Sequence, residues 1–433
     1  MSSIAAPNKT EPSLERQTVD AVRTMLGAAV FVVLLVSFTP FVQQSASTAA
    51  TAGNVVNQLG YGGLGVLVLF GHLIFTDRKV ALSLLRPTWL LMGAYLVFSV
   101  TQSQWPDAAF RAVLFSVFAI IAATGVVCLP TTAKSFRFVL ATGALAVLGL
   151  SYFGVIAMPG LAIHDGSGDE AQHAGLWRGV YSHKNVAGPV MAALFFAGLY
   201  LLRSGERWTG WLIAILAGIF VFKTGSKTSA GLVPMVAGLV IGARIFGGRL
   251  LPVAILSVVL AVMGLMTIGA ALSLQLDAIL QTILPGTTFT GRMDLWRFAL
   301  DTMAPQQWTG WGFESFWLTD NVFRAEMPFE LSWDPRGIVN SHSGYLDIAI
   351  AMGWPALILA SVVLVVLPFS DYRRCRPGIE NERLADFFLM VLAFMLLNSF
   401  LESYLFKRAD PAWMLAWISI VGLRLLSKFR IAS

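Results

Sequence analysis

The stretch LLPVAILSVVLAVMGLMTIGAAL, residues 250–272, is 23 residues long and contains no charged side chain. A helix needs roughly 20 apolar residues to cross a bilayer, so this stretch predicts a membrane-spanning helix. Of the 433 residues, 56% are hydrophobic and only 12% are charged, which is half the charged fraction of about 25% in soluble domains. Such a chain cannot cover itself with a hydrated surface. These values exclude an ordinary soluble enzyme, a disordered protein and a DNA-binding module, and we expect no nucleic-acid partner.

Eleven further runs have the length and composition of membrane spans. The twelve predicted spans are about 25–42, 59–76, 87–101, 110–129, 137–158, 186–202, 208–224, 229–246, 250–272, 345–369, 385–401 and 411–427. The sequence therefore predicts an all-α polytopic membrane protein with about 12 transmembrane helices. The first run could instead be a signal peptide, with a cleavage-like patch at Ala46–Ala49, but the charges that precede it cancel, which favours a span.

The predicted organisation follows from these spans. It consists of a cytoplasmic tail (1–24), spans one to nine with an outer loop at 159–185 (25–272), a large outer loop with short helices (273–344), spans ten to twelve (345–427) and a second cytoplasmic tail (428–433).

The basic residues predict the orientation. With the N-terminus in the cytoplasm, 19 of the 30 lysines and arginines fall in inner segments, and the first outer loop, about 43–58, has none. This is the positive-inside pattern. The outer bases, apart from Arg111, form four groups: Arg178 and Lys184; Lys223 and Lys227; Arg292, Arg297, Arg324 and Arg336; and Lys407 and Arg408. Since the orientation rule disfavours cations there, these groups invite a functional explanation, although neutralisation of outer acids is the alternative.

The outer segment 273–344 is too long for a simple turn, and loops of this length usually carry function or are disordered. It contains five of the 13 tryptophans, which is unlike a disordered segment. Residues 291–303 place Leu295, Phe298 and Met303 near one side at helical spacing, which predicts an amphipathic helix. The aromatic rings could stack on sugars, or they could lie at the membrane interface as in any membrane protein.

Two outer motifs could carry chemistry. Arg178, His183 and Lys184 precede the sixth span and could face an anion, with Asn185 as a helix cap whose free N–H groups would add an anion site. The alternative is an ordinary capped loop. His342 precedes the tenth span at the water–membrane boundary, where an imidazole can take a proton near neutral pH. A structural role for such a histidine is equally compatible with its spacing.

Several motifs together resemble a known family. They are Arg178-Gly-x-x-x-His183-Lys184-Asn185-x-x-Gly188, Ser226-Lys227-Thr228, Thr290-Gly-Arg292-x-x-Leu-Trp296, Gly310-Trp-Gly312-Phe, and His342-x-Gly-Tyr-Leu346 followed by Gly353-x-Pro355. In this order, over about residues 175–360, they resemble the O-antigen ligase and polysaccharide polymerase family of bacterial envelopes. The first motif is most similar to exopolysaccharide polymerases of the succinoglycan type. Lys227 and Ser343 stand where members commonly have arginine and asparagine.

The resemblance implies a GT-C-like glycosyltransferase of the bacterial inner membrane, with its active site facing the periplasm. Its donor would be an oligosaccharide linked to undecaprenyl pyrophosphate, and the products would be exopolysaccharide or O-antigen. It implies the catalytic residues His342, Arg178 and Arg292. The candidate substrate-binding residues are Lys184, His183, Asn185, Lys227, Trp296, Trp311, Tyr345 and Glu402. A chain-length regulator and the export machinery are candidate partners.

We expect an inverting reaction without a metal or other cofactor. Many GT-C enzymes use acidic residues in the first outer loop, and here the loop at about 43–58 has no Asp or Glu. Two alternatives remain open. One is an O-antigen ligase that transfers polysaccharide to the lipid A core, and the other is a transporter or flippase for lipid-linked sugars. Transporters often show two related halves, and the sequence shows no such repeat.

Overall fold

The computed structural model describes residues 14–41, 55–166, 172–326 and 334–431. Within these ranges the chain is helical, and its one β-bridge is an isolated pair, Ile163 with Trp177. The helices are α1 (Leu14–Val36), α2 (Val55–Phe75), α3 (Arg78–Leu84), α4 (Pro87–Val100), α5 (Pro106–Cys128), α6 (Ala133–Ala157), α7 (Pro159–Ala162), α8 (Lys184–Arg203), α9 (Arg207–Lys223), α10 (Lys227–Gly247), α11 (Leu250–Gly264), α12 (Ala270–Leu272), α13 (Leu274–Ile283), α14 (Arg292–Met303), α15 (Asp320–Phe323), α16 (Gly344–Ser361), α17 (Leu367–Arg373), α18 (Ile379–Asn398) and α19 (Pro411–Lys428). The predicted all-α membrane class is confirmed.

Each of the twelve predicted spans overlaps a helix or a run of joined helices, but fewer helices have the length and composition of a membrane span. Among the described residues eight do, or up to nine if α3 and α4, which meet at an angle of 61°, form one bent span. Two π-helical segments, Leu265–Gly269 and Val362–Val366, join α11 to α12 and α16 to α17. The count of about 12 spans stays a prediction.

The first helix has other boundaries than the sequence predicted. It begins at Leu14, inside the predicted cytoplasmic tail, and ends at Val36 rather than near residue 42. Ser37 has a positive φ of 66°, a left-handed conformation that ends the helix. The helix starts early because the residues before the apolar run are polar but compatible with a helix. A hydropathy window does not detect such residues. The cleavage-like patch Ala46–Ala49 lies outside the described residues.

The centre of the bundle is α18, which packs against α8, α10 and α19. All of its residues from Leu384 to Asn398 are buried. A helix that is apolar all round belongs inside a larger assembly of helices. The charges in its first two turns are Glu380, Glu382, Arg383 and Asp386. The three carboxylates pair with arginines of other helices, whereas Arg383 pairs with Glu380 within α18. These charges keep α18 outside the composition of a membrane span, although the rest of the helix is apolar and buried.

The segment between α12 and α16 folds into short helices over a second apolar cluster. The predicted amphipathic helix is confirmed as α14, and Leu295, Phe298 and Met303 are buried on its inner side. The segment docks on α16 at Gly353, where a positive φ of 82° interrupts the helix. A Cβ atom at Gly310 would lie 2.4 Å from the backbone of Ala351, so the Gly310-Trp-Gly312 motif allows this close approach.

Candidate functional site

The first turn of α8 is capped by two imidazoles. The Nδ1 atom of His183 accepts the backbone N–H of Asn185 at 3.1 Å, and the Nε2 atom of His164 accepts that of Lys184 at 3.2 Å. Acceptance at Nδ1 places the proton of a neutral His183 on Nε2. Burial, and after it the electrostatic effect of His164, His173, Lys184 and His342, lowers the pKa of His183 to about 3. His183 is therefore a neutral cap near pH 7 and a poor general base.

Glu402 connects residues from three other parts of the chain. Its Oε2 atom accepts the side-chain N–H of Asn185 at 3.1 Å, and its Oε1 atom accepts Nη2 of Arg292 at 3.0 Å. The Nδ1 atom of His342 lies 3.7 Å from Oε2 of the same carboxylate. These side chains come from the starts of α8 and α14, the segment before α16 and the segment after α18. The carboxylate thus brings together an amide, a guanidinium and an imidazole at one end of the bundle.

The segment that presents His342 is held by its neighbours. His342 has a positive φ of 54°, which is uncommon for a residue with a side chain. Its N–H donates to Oδ1 of Asn340 at 3.0 Å, and the N–H of Ser341 donates to Oδ1 of Asp347 at 3.0 Å. The indole N–H of Trp296 donates to the carbonyl of Ser341 at 2.9 Å. Because such backbone conformations persist only where the surroundings fix them, these bonds position the imidazole.

Trp296 and Tyr345 were candidate substrate-binding residues, and the structure places both inside the protein. Trp296 is fully buried and uses its N–H to hold Ser341. Tyr345 is buried too, and its hydroxyl donates to the carbonyl of Leu396 at 3.0 Å while its ring packs against Phe400. Their aromatic faces are occupied by protein, so they position the site. Trp311 is half-buried, and its backbone N–H donates to the carbonyl of Ile350 at 2.8 Å.

Arg178 lies in the segment before α8 and is buried, with 7% of its surface exposed. Its Nε, Nη1 and Nη2 atoms donate to the carbonyls of Leu161, Ser182 and Gly160 at 3.1, 3.3 and 3.4 Å. No carboxylate within the described residues forms an ion pair with it. Among the described residues its charge is therefore balanced by neutral carbonyl oxygens, and these bonds use three of its five N–H groups.

Lys184 and Lys227 both occupy the first position of a helix, in α8 and α10. The two helix starts are close neighbours, because a Cβ atom at Gly188 would lie 2.8 Å from the Oγ atom of Ser229. Lys227 is exposed. Helix N-termini carry partial positive charge, so the two lysines and the two helix ends reinforce one another.

Sequence reasoning missed His164 and His173. Their rings lie 5.0 and 5.2 Å from that of His183, centroid to centroid, and 5.6 Å from each other. The available signal was that three of the five histidines fall between residues 164 and 183. Within the part of the chain that the structure describes, no group of His, Cys, Asp and Glu side chains is arranged to hold a metal ion.

Comparison with known families finds a match to part of the chain. The model of the O-antigen ligase family matches residues 212–361, a region that includes Lys227, Arg292 and His342. The match confirms the resemblance to this family for that part of the chain and indicates an O-antigen ligase or polymerase-type membrane enzyme. Arg178, Asn185 and Glu402 lie outside the matched region. No curated protein matches the chain.

Proposed function

From the family match and the Glu402 cluster, we propose that this protein is a membrane glycosyltransferase that polymerises oligosaccharide repeats linked to undecaprenyl pyrophosphate. The reaction takes place at the periplasmic face of the bacterial inner membrane and builds exopolysaccharide or O-antigen. The observation that carries the proposal is the contact of His342, Arg292 and Asn185 with one carboxylate, Glu402. These residues unite a proton acceptor with groups that recognise anions.

The chemistry is a single displacement. The acceptor hydroxyl attacks the anomeric carbon of the donor sugar, and the bond from that carbon to the diphosphate oxygen breaks. The lipid diphosphate leaves with the bonding electrons, and the hydroxyl proton passes to His342. Attack opposite to the leaving group inverts the anomeric centre. No metal ion takes part in this scheme.

His342 is the proposed base. Its Nδ1 atom faces Glu402, so Nε2 is the nitrogen that receives the proton. The nearby carboxylate stabilises the imidazolium that forms, as a charged neighbour stabilises the opposite charge. His183 does not compete for this role because its Nδ1 atom already caps α8 and burial lowers its pKa to about 3.

The cations stabilise the leaving diphosphate. Arg292, Arg178, Lys184 and Lys227 are the proposed ligands, with the N-terminus of α8 as an additional dipole. Arg178 is the strongest candidate for a fixed positive charge, because it is buried among neutral carbonyls. Preorganised charges of this kind are often the largest contribution to catalysis.

The test is an assay with purified protein and lipid-linked oligosaccharide. His342→Ala should lower turnover by at least about 100-fold, the usual loss when a general base is removed. The matched control is His72→Ala, which alters a histidine inside α2. Near-normal product chains from His342→Ala, in protein that inserts normally, would remove the base assignment.

A ligase is the second candidate, and the description of the matched family favours it. Polymerase and ligase differ in their acceptor, which is another lipid-linked repeat or a lipid A core. Deletion of the protein from its cell separates them. Single repeats left on the lipid support the polymerase, whereas long chains not attached to lipid A core would contradict it and support the ligase.

A further inference from the structure

A second group of charged residues lies at the opposite end of the bundle from Glu402. Helix α8 has 20 residues and runs from the candidate site at Lys184 to Arg203. At 1.5 Å per residue its ends are about 30 Å apart, which is about the thickness of a bilayer core. Arg203 borders a cavity of about 310 Å³. The cavity is lined by Arg203, Arg244, Arg383, Glu382, Asp386, Ile241, Ile245 and Ile379.

The charges of this cavity leave an excess positive charge. Asp386 is fully buried and receives Nη2 of Arg203 at 2.8 Å and Nη1 of Arg244 at 2.6 Å. Arg244 also pairs with Glu382 at 2.8 Å. Three guanidinium groups thus face two carboxylates in the lining, which gives a formal charge of +1. That charge matches one phosphodiester.

Two of the arginines have donor capacity left over. The Nη1 atom of Arg203 is buried and has no hydrogen-bond partner within the described residues. A buried donor of this kind requires an acceptor. Arg383 pairs with Glu380 at 3.6 Å, a loose contact to a carboxylate that also receives Arg137 at 2.9 Å. A ligand with anionic oxygen atoms in the cavity would complete the bonding of Arg383 and contact the 33% of the Arg203 side chain that is exposed.

The rim of the cavity identifies the rest of the ligand. Ile245 and Ile379 line the cavity with 77% and 72% of their surfaces exposed, and the neighbouring Phe246 is 86% exposed. Ile245 and Phe246 end a helix that has the composition of a membrane span. Exposed apolar side chains at this position face hydrocarbon rather than water. The occupant must therefore combine an anionic headgroup with apolar chains.

We propose that this cavity binds an anionic phospholipid of the leaflet opposite the candidate site. Its phosphate lies between Arg203 and Arg383, and an acyl chain follows Ile241 and Ile245 along α10. Basic pockets between helices on the cytoplasmic side are known to hold such headgroups. A free phosphate would use the same arginines but would leave the apolar rim uncovered. The lipid also joins α8, α10 and α18 at their ends.

The experiment measures lipid retention by native mass spectrometry of the delipidated, purified full chain. Phosphatidylglycerol and phosphatidylcholine with identical acyl chains are the probes. We expect one tightly retained phosphatidylglycerol and markedly weaker phosphatidylcholine. Arg383→Gln and Arg203→Gln should each weaken phosphatidylglycerol binding about fivefold, the expected contribution of one arginine near a charged headgroup. The matched control is Arg324→Gln, whose side chain is 80% exposed and pairs with Asp320.

Three results would overturn the proposal. The first is equal retention of the two lipids by the wild-type protein. The second is unchanged binding in the double variant Arg203→Gln/Arg383→Gln. The third is stabilisation by inorganic phosphate equal to that by phosphatidylglycerol, which would indicate a free-phosphate site. Arg383→Gln leaves both ion pairs of Asp386 intact, so it reports on the cavity even where Arg203→Gln fails to fold.

Discussion

The substitution Glu402→Gln tests how the candidate site works. The amide keeps the size of the side chain and removes its charge. In the wild-type protein that charge lies 3.7 Å from Nδ1 of His342 and 3.0 Å from Nη2 of Arg292. If His342 becomes an imidazolium during the reaction, Glu402→Gln removes the carboxylate that stabilises it and leaves Asn185 with an amide partner.

The distances and exposure of these side chains set the size of the expected loss of kcat. Two unit charges about 4 Å apart near a protein surface interact by about 4 kcal/mol. The side chains of His342 and Glu402 are 27% and 16% exposed, so solvent reduces this interaction. With about half of it remaining, the barrier rises by about 2 kcal/mol, and kcat should fall about 30-fold. Release of Arg292 from its ion pair should leave KM for the lipid-linked donor unchanged or lower it.

The assay measures initial steady-state rates of polymerisation over a range of lipid-linked oligosaccharide concentrations, so that kcat and KM are determined separately. The matched control is Glu314→Gln, which removes a 2.9 Å ion pair to Arg408 without touching His342. Glu402→Gln combined with His342→Ala should be no slower than His342→Ala alone, since residues that act as a unit are not additive. A Glu402→Gln enzyme with more than half the wild-type kcat would refute the reasoning, as would independent, additive effects of the two changes.

Three further predictions concern stability, pH and metals. Arg178→Lys should keep the buried charge but lose hydrogen bonds to carbonyls, so it should retain more activity than Arg178→Ala. Equal activities of the two variants would contradict a role for the charge. Thermal unfolding in detergent checks that both variants are folded. The pKa of His183 is about 3 in the folded protein and about 6.5 when unfolded, so the unfolded chain binds the proton first as the pH falls. The free energy of unfolding of the wild-type protein should therefore decrease below about pH 6.5, by up to about 1.4 kcal/mol per pH unit. The decrease should be smaller in His183→Asn, because asparagine can still cap α8 but does not titrate. Parallel pH profiles of the two proteins would refute this. EDTA should leave turnover unchanged. Turnover that EDTA abolishes and a divalent ion restores would show that a metal takes part.

Several features were predictable because they depend on local sequence. Hydropathy runs located the helices, and the spacing of Leu295, Phe298 and Met303 predicted α14 and its buried side. These are properties of neighbouring residues, since the apolar content and the helical period are read within one segment. Boundaries were less predictable, as α1 shows, because the polar residues that precede an apolar run can continue the same helix.

Burial, by contrast, cannot be read from the sequence. Trp296 and Tyr345 were candidate substrate-binding residues, and in the structure both are covered by protein and donate hydrogen bonds to backbone carbonyls. Aromatic residues near a motif are equally suited to bind a ligand or to position the loop beside it. His164 was missed because its ring bonds to the N–H of Lys184, 20 positions further along the chain. The sequence between the two residues has no motif that predicts this contact.

The sequence by itself determined the membrane class, the helix positions and the residue types of the candidate site, because each is encoded in a short segment. Only the tertiary structure decided which of these residues meet. Asn185 and Glu402 are 217 positions apart and bond at 3.1 Å, and Arg292 and His342 reach the same carboxylate from two other elements. Their meeting depends on how α8, α14, α16 and α18 pack, and that packing results from side-chain contacts across the whole bundle rather than from any one segment.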